Sequence, residues 1–99
     1  MKLDRFTFRA QEALENAQTI AEENHQSEIT PEHLLFALIE QKDGIGSPLL
    51  KRVGADTNII KNSLQKKMED SPKVYGGNQA YISASLNEIL KDAQAETTQ

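Results

Sequence analysis

Two features of this chain could do chemistry: a glycine-rich stretch and a pair of histidines. Gly44-Ile45-Gly46-Ser47 suggests a phosphate-binding loop, but it lacks the lysine and the full spacing of a Walker A loop. It also follows a predicted helix rather than a strand, so we interpret it as a turn between helices. His25 and His33 lie eight positions apart with no third ligand at helical spacing, which does not make a metal site.

No other catalytic constellation emerges from the residue types. The chain has no cysteine, which excludes a disulfide framework, thiolate catalysis and the usual zinc sites. The hydroxyl side chains fall at predicted helix starts or in polar tails, so no Ser-His-Asp set is indicated. We interpret His25 as a cation at a helix end, and His33 as either a packing or a hydrogen-bonding residue. The sequence therefore predicts a chain with no catalytic residue, no cofactor and no metal.

Composition narrows the class of protein further. A chain of 99 residues is the size of one domain. It carries 15 acidic residues against 11 Lys and Arg, a net charge of -4, without any basic block, so we expect no nucleic-acid partner. No apolar run approaches the ~18 residues of a membrane span, and the N-terminus lacks the apolar core of a secretory signal. We expect a cytoplasmic protein with no membrane partner.

Five stretches have helical periodicity, and each begins at a residue that favours a helix start. These start signals are Thr7, Thr30-Pro31, Ser47-Pro48, Asp56 and Ser83. Asp43-Gly44 and Gly54 are predicted to end the second and third helices. The apolar positions expected to be buried are Ala10, Ala13, Leu14, Ala17, Ile20 and Ala21 in the first helix, Leu34, Leu35, Leu38 and Ile39 in the second, Leu49, Leu50 and Val53 in the third, Ile59, Ile60 and Leu64 in the fourth, and Leu86, Ile89, Leu90 and Ala93 in the fifth.

The fifth helix repeats the first. A shift of 76 positions aligns Thr7 with Ser83 and Leu14 with Leu90, so that cap and apolar stripe coincide. We predict a first repeat of four helices at residues 1–70, a linker at 71–80, and the opening helix of a truncated second repeat at 81–99. Without the rest of its repeat, this helix should fold back on the first repeat or pair with a second copy as a dimer.

Together these motifs resemble the amino-terminal domain of Clp-type AAA+ unfoldases. The matching segments are Met1-Lys2-Leu3-Asp4-Arg5-Phe6-Thr7, Ala10-Gln11, Ala13-Leu14, Ile29-Thr30-Pro31-Glu32-His33-Leu34-Leu35, Asp43-Gly44-Ile45, Pro48-Leu49-Leu50 and Tyr81-Ile82-Ser83. The opening segment favours the ClpB disaggregase branch. The resemblance implies an all-α fold in which two four-helix repeats are related by a pseudo-twofold axis, of which this chain has the first repeat and one further helix.

The resemblance also implies a function. In ClpB-like proteins this domain recruits unfolded or aggregated polypeptides to a homo-hexameric ring, and it is not itself an enzyme. ATP and Mg²⁺ would bind AAA+ modules outside residues 1–99. The alternative is an adaptor-protein docking module, the role of the equivalent domain in ClpA and ClpC protease unfoldases.

Candidate binding residues come from the repeat and from the family pattern. Thr7 and Ser83 occupy equivalent positions, either as helix caps alone or as two helix starts brought together to bind a peptide. In ClpC-like relatives the matching residues belong to a phosphoarginine pocket, and Thr7, Ser83 and Glu32 match those positions. The corresponding glutamate of the second repeat would lie beyond residue 99, so the resemblance implies at most an incomplete pocket here. Glu32 has an alternative role, since a carboxylate in the first turn offsets the helix dipole.

Aromatic side chains supply the remaining candidates for peptide contact. Core packing is the default for any aromatic residue. Phe8 lies off the alanine stripe of the first helix and Phe36 off the leucine stripe of the second, so both are candidates for an exposed contact. Tyr81, just before the fifth helix, completes the set.

Overall fold

The described part of the chain contains five helices, as the sequence predicts. The computed structural model describes residues 8–41, 44, 46–75 and 79–97. The helices are α1 (Phe8–Glu23), α2 (Pro31–Glu40), α3 (Gly46–Arg52), α4 (Thr57–Asp70) and α5 (Ala84–Thr97). In the described part of the chain, none of these helices has the length and apolarity needed to cross a membrane.

The predicted helix starts agree well with the structure. Asp56 caps α4 by accepting hydrogen bonds from the amides of Asn58 and Ile59 at 2.9 and 3.4 Å. Gly54 follows α3 in the left-handed region, with φ 83°, which glycine adopts without a steric penalty. Two boundaries differ: α2 ends at Glu40, before the predicted stop, and α3 begins at Gly46 rather than after a Ser47 cap. Thr7 and Asp43 lie outside the described residues.

A short parallel strand pair was not predicted. β1 (Glu28–Ile29) leads into α2, β2 (Tyr81–Ile82) leads into α5, and the register pairs Glu28 with Tyr81 and Ile29 with Ile82. Two residues are too few to show the alternating pattern that marks a strand in a sequence. The pairing arises from tertiary packing, which brings two distant segments together.

Small side chains form the centre of the core, as the alanine stripe predicts. Ala13, Ala17 and Ala21 of α1 and Ala37 of α2 are buried, which lets the two helix backbones approach closely. Leu14, Ile29, Ala80, Leu86 and Leu90 complete this cluster, with Ile20, Leu34 and Leu38 packed against it. The helix α5 is thus folded back on the rest of the chain, and its Leu86 and Leu90 are buried within the same chain.

Several predicted core positions are exposed instead. They are Leu35 on α2, Leu49 on α3, Val53 just after it, Ile59 on α4 and Ile89 on α5. On α4 the buried side chain is Met68, while on α2 His33 and Ala37 are buried together with Ile39. Periodicity marks which side of a helix is apolar, but each of these helices is covered over only part of that side.

The helices α1 and α5 begin at Phe8 and Ala84, 76 positions apart, which is the shift of the predicted repeat. The division into a first repeat at 1–70 and a second from 81 stays a prediction. Residues 71–75 and 79–80 contain neither helix nor strand. Residues in the segment 71–75 are nevertheless attached to the turn after α1, where the amide of Val74 donates to the carbonyl of His25 at 2.6 Å.

Candidate functional site

The parallel strand pair places the starts of two helices side by side. Because Ile29 pairs with Ile82, the next residues, Thr30 and Ser83, are neighbours at the N-termini of α2 and α5. The amide of Ser83 donates to the carbonyl of Ile29 at 3.0 Å and holds this arrangement. The sequence predicted that Thr7 and Ser83 would meet; Thr7 lies outside the described residues, and the neighbour of Ser83 that the structure describes is the start of α2.

Ser83 is a buried capping residue. Its hydroxyl accepts a hydrogen bond from the amide of Leu86 at 3.1 Å, as predicted for the cap of the fifth helix, and lies 3.2 Å from the hydroxyl of Ser85. The side chain is 5% exposed. Its oxygen is therefore directed at the first turn of α5.

A cleft of about 420 Å³ opens beside β1 and the start of α2. Ser27, Glu28 and Thr30 line it on the β1 side, and Glu32, Lys67 and the buried Met68 also contribute to its lining. Pro72 and Val74 add apolar groups to the lining. The volume lies within the range of small-ligand pockets.

Glu32 contributes a negative charge to this cleft. Its carboxylate lies 3.4 Å from the ammonium of Lys67, and the two side chains are 32% and 69% exposed. The hydrogen bond from its own backbone amide lowers the pKa of the Glu32 carboxyl below its ordinary value of 4.5, with the Thr30 hydroxyl and Lys67 acting in the same direction and partial burial opposing them. Glu32 is therefore ionised at neutral pH, as both of its predicted roles require.

His33 forms the centre of a buried hydrogen-bond chain. Its Nδ1 accepts from the amide of Thr30 at 2.9 Å, which places the ring proton on Nε2, and Nε2 donates to Oε1 of Gln26. The amide nitrogen of Gln26 in turn donates to the carbonyl of Met68. Burial lowers the pKa of His33 below its ordinary value of 6.5, against a smaller opposing effect of the Glu32 charge. Of the two predicted roles, His33 has both: it is packed and fully hydrogen-bonded.

Phe36 lies one helical turn beyond Glu32 but does not line the cleft that Glu32 lines. It contributes to a hollow of about 360 Å³ between α1 and α2. The ammonium of Lys61 lies 5.7 Å from its ring centroid and 3.3 Å from the Glu40 carboxylate. The Phe36 ring is thus half-buried, with a cation over one face.

Phe8 and Tyr81 are the most exposed of the candidate residues that the structure describes. Their side chains are 75% and 67% exposed, at the start of α1 and in β2. For both residues the core-packing alternative is excluded, because neither side chain is buried. Large apolar side chains left in water are available for contact with another chain.

Several residues of this region were not indicated by the sequence, among them Gln26 and Met68, which bond to or lie beside His33. A glutamine after a helix and a methionine near the end of another carry no pattern that distinguishes them from surface residues. Only the fold brings them together, with His33 between them. Among the described residues, no group of three or more His, Cys, Asp or Glu is arranged to hold a metal ion.

The fold and these surfaces define a small all-α module with exposed aromatic side chains and an open cleft. The family model for the Clp repeat (R) N-terminal domain matches residues 5–99. The chain therefore belongs to the Clp repeat N-terminal domain family.

Curated relatives of the chain carry the name chaperone protein ClpB. The protein of Rickettsia felis is 34% identical over 97 residues, which are 96% of this chain and 11% of the relative. Those of Brucella suis and Rickettsia bellii are 34% and 37% identical over 95 residues, again 11% of each relative. The chain thus spans about a tenth of the length of the relatives that it matches.

Solved structures agree with the family and with the predicted fold. The N-terminal domain of the ClpV1 ATPase from Escherichia coli EAEC superposes with a TM-score of 0.85 at 33% identity, over 94% of this chain and 56% of that one. The N-domain of ClpV from Vibrio cholerae, 21% identical, shares the fold with a TM-score of 0.84. A further match, with a TM-score of 0.84 at 33% identity over 94% of this chain and 59% of that one, is described as a peptide from the EAEC T6SS Sci1 SciI protein.

Proposed function

We propose that this chain is the substrate-recruiting, unfolded-peptide-binding N-terminal module of an ATP-dependent protein disaggregase. The observation that carries the proposal is the exposure of Phe8 and Tyr81 on a domain whose relatives are ClpB chaperones. An acidic surface with a few exposed aromatic side chains binds apolar segments weakly and stays dispersed. Weak binding suits a module that must release its substrate to a motor.

The rest of the proposed function follows from the family. The chain itself is not catalytic and binds no cofactor, while ATP and Mg²⁺ bind AAA+ modules elsewhere in the whole protein. That protein is a homo-hexameric chaperone of the cytoplasm, and its clients are unfolded or aggregated polypeptides. The SciI peptide named for one solved neighbour supports polypeptide as the class of ligand.

Titration with an unfolded polypeptide tests the proposal. With reduced, carboxymethylated α-lactalbumin as the probe, we expect amide shifts in the labelled chain around Phe8 and Tyr81. The double variant Phe8→Ala, Tyr81→Ala should bind about tenfold more weakly, since two aromatic contacts are lost. Val53→Ala is the matched control, because Val53 is 72% exposed at the end of α3. Absence of shifts, or an equal loss in the control, contradicts the proposal.

Docking of one folded adaptor is the second candidate function, and the SciI peptide named for one solved neighbour is compatible with it as well, since it indicates a protein ligand without distinguishing the two functions. An adaptor should bury a standard interface of about 1,600 Å² in total. Affinity capture with the chain from a heat-stressed lysate distinguishes the two functions. Recovery of one folded protein supports docking, whereas a heterogeneous set of misfolded proteins supports substrate recruitment.

A further inference from the structure

The open edge of β1 lies within the cleft beside α2. The amides of Tyr81 and Ser83 donate to the carbonyls of Ser27 and Ile29, so these two residues direct their carbonyls towards β2. Backbone groups alternate along a strand, and the N–H and C=O of Glu28 therefore point away from β2. Ser27, Glu28 and Thr30 all line the cleft. The strand thus presents a donor and an acceptor to it.

Apolar groups in the cleft lining match the side chains of an extended segment. Met68 is 4% exposed and forms the floor, while Pro72 and Val74 are accessible apolar groups. Side chains that alternate along a strand could contact these residues while its backbone pairs with Glu28. A rigid helix would bring no free backbone groups to the open edge.

Charge in the cleft favours a basic ligand. Glu28 and Glu32 supply two carboxylates against the single ammonium of Lys67, and His33 is uncharged because its Nδ1 accepts the Thr30 amide. Lys67 lies at the rim with 69% of its side chain exposed. The described lining therefore carries a net charge of about -1 at neutral pH.

We infer that the cleft is a subsite for an extended stretch of unfolded polypeptide, which adds a third strand to the open edge of β1 at Glu28. The preferred stretch has an apolar centre, packed on Met68 and Val74, flanked by lysine or arginine near Glu28 and Glu32. This inference rests on the proposed function, since it names the kind of segment that the module takes from a substrate.

A proline substitution separates backbone pairing from charge. Glu28→Pro removes the N–H that faces the cleft and leaves the groups that pair with β2, because proline is tolerated on an edge whose N–H is free of the ladder. Glu28→Ala is the matched control, since it removes the same carboxylate and keeps the N–H. The probe is acetyl-Lys-Val-Leu-Val-Lys-amide. We expect it to bind Glu28→Pro about two- to tenfold more weakly than Glu28→Ala, the effect of one hydrogen bond.

Protection of the Tyr81 and Ser83 amides from hydrogen exchange shows whether the strand pair is intact in Glu28→Pro. If that protection is lost, the original protein provides a second measurement. A set of three probes, each N-methylated at one central residue, should contain at least one member that binds two- to tenfold more weakly. The same peptide with glutamate at both ends should bind more weakly as well. Equal binding of all methylated probes overturns the inference.

The location of the amide shifts distinguishes this inference from the proposed function. Because Glu28 pairs with Tyr81, shifts at residues 27–30 alone do not discriminate between the two. Shifts that include residues 67–74 support the strand-edge subsite. Shifts around Phe8 and Tyr81 that leave residues 67–74 unchanged overturn the subsite and leave peptide recruitment standing. Absence of shifts with both the pentapeptide and unfolded α-lactalbumin contradicts both.

Discussion

The buried histidine is the residue whose chemistry most depends on its surroundings. A protonated His33 would lose the lone pair on Nδ1 that accepts the Thr30 amide, and it would place a charge in a site that is 2% exposed. The hydrogen-bond chain through Gln26 joins the end of α1, the start of α2 and the end of α4. One side chain therefore connects three helices, but only while it is neutral.

Acidification should weaken the fold through His33. Its folded-state pKa lies below 6.5, so the unfolded chain binds more protons as the pH falls through that value. The stabilising effect is complete above about pH 6.5 and is lost at lower pH, with a slope of at most about 1.4 kcal/mol per pH unit. Urea unfolding between pH 7.5 and 5 measures it.

The variant His33→Gln isolates this effect. It should be less stable at pH 7.5 than the original chain and should show a smaller loss of stability on acidification, because the neutral imidazole that the fold requires is gone. Glu32 contributes in a separate window, because its lowered pKa makes its stabilising effect disappear only as the pH falls below 4.5. Parallel pH profiles for His33→Gln and the original chain would contradict the assignment.

Helix starts show how local chemistry builds the elements. Asp56 and Ser83 each bond an amide two or three residues further on, so the cap and its helix need no distant partner. The threonine start of α2 also involves a side chain, because both the amide and the hydroxyl of Thr30 lie 2.9 Å from Nδ1 of His33. The residue type therefore identifies a helix start, but it does not specify which group the capping side chain bonds.

Removal of the α5 cap should cost about 1 kcal/mol or more of stability. In Ser83→Ala the buried amide of Leu86 loses its acceptor, which places the cost at the upper end of the range for caps. Ser85→Ala is the matched control: its hydroxyl touches that of Ser83, but the residue is exposed and caps nothing in the described hydrogen bonds. Chemical denaturation compares the two, and equal stability of both variants would argue against the cap.

At the scale of the whole molecule, one core joins α1, α2 and α5. Leu86 is fully buried and Leu90 nearly so, while Ile89 on the same helix is 49% exposed. The carboxylate of Glu22 also accepts the amide of Ala80 at 3.0 Å, so the approach to α5 is attached to α1. The fifth helix is therefore part of the domain and not an appendage.

Truncation of Leu86 tests this integration. Leu86→Ala should lower the free energy of unfolding by about 2–5 kcal/mol, the cost of a cavity in a packed core. Ile89→Ala removes a side chain of similar size from an exposed position of the same helix and should cost well under half as much. A similar small effect of both changes would mean that α5 does not pack on the core in solution.

The sequence by itself determined the number of helices, the starts of α2, α4 and α5, and the alanine contact of α1. Each of these depends on residues within one or two turns of one another, so a single segment contains the necessary information. The family and the all-α fold were recognised for the same reason, because their motifs are short and contiguous. The exposure of Phe8 was also indicated, since it lies off the apolar stripe.

Only the tertiary structure decided which apolar positions are covered and what surrounds the cleft. The strand pair joins Glu28 to Tyr81, and the chain His33–Gln26–Met68 joins three helices. Such contacts depend on how helices lie against one another, which periodicity within each helix does not specify. For the same reason Leu49 and Ile59 are exposed although their spacing favours burial: a helix has an apolar side by sequence, but a core only where another element covers it.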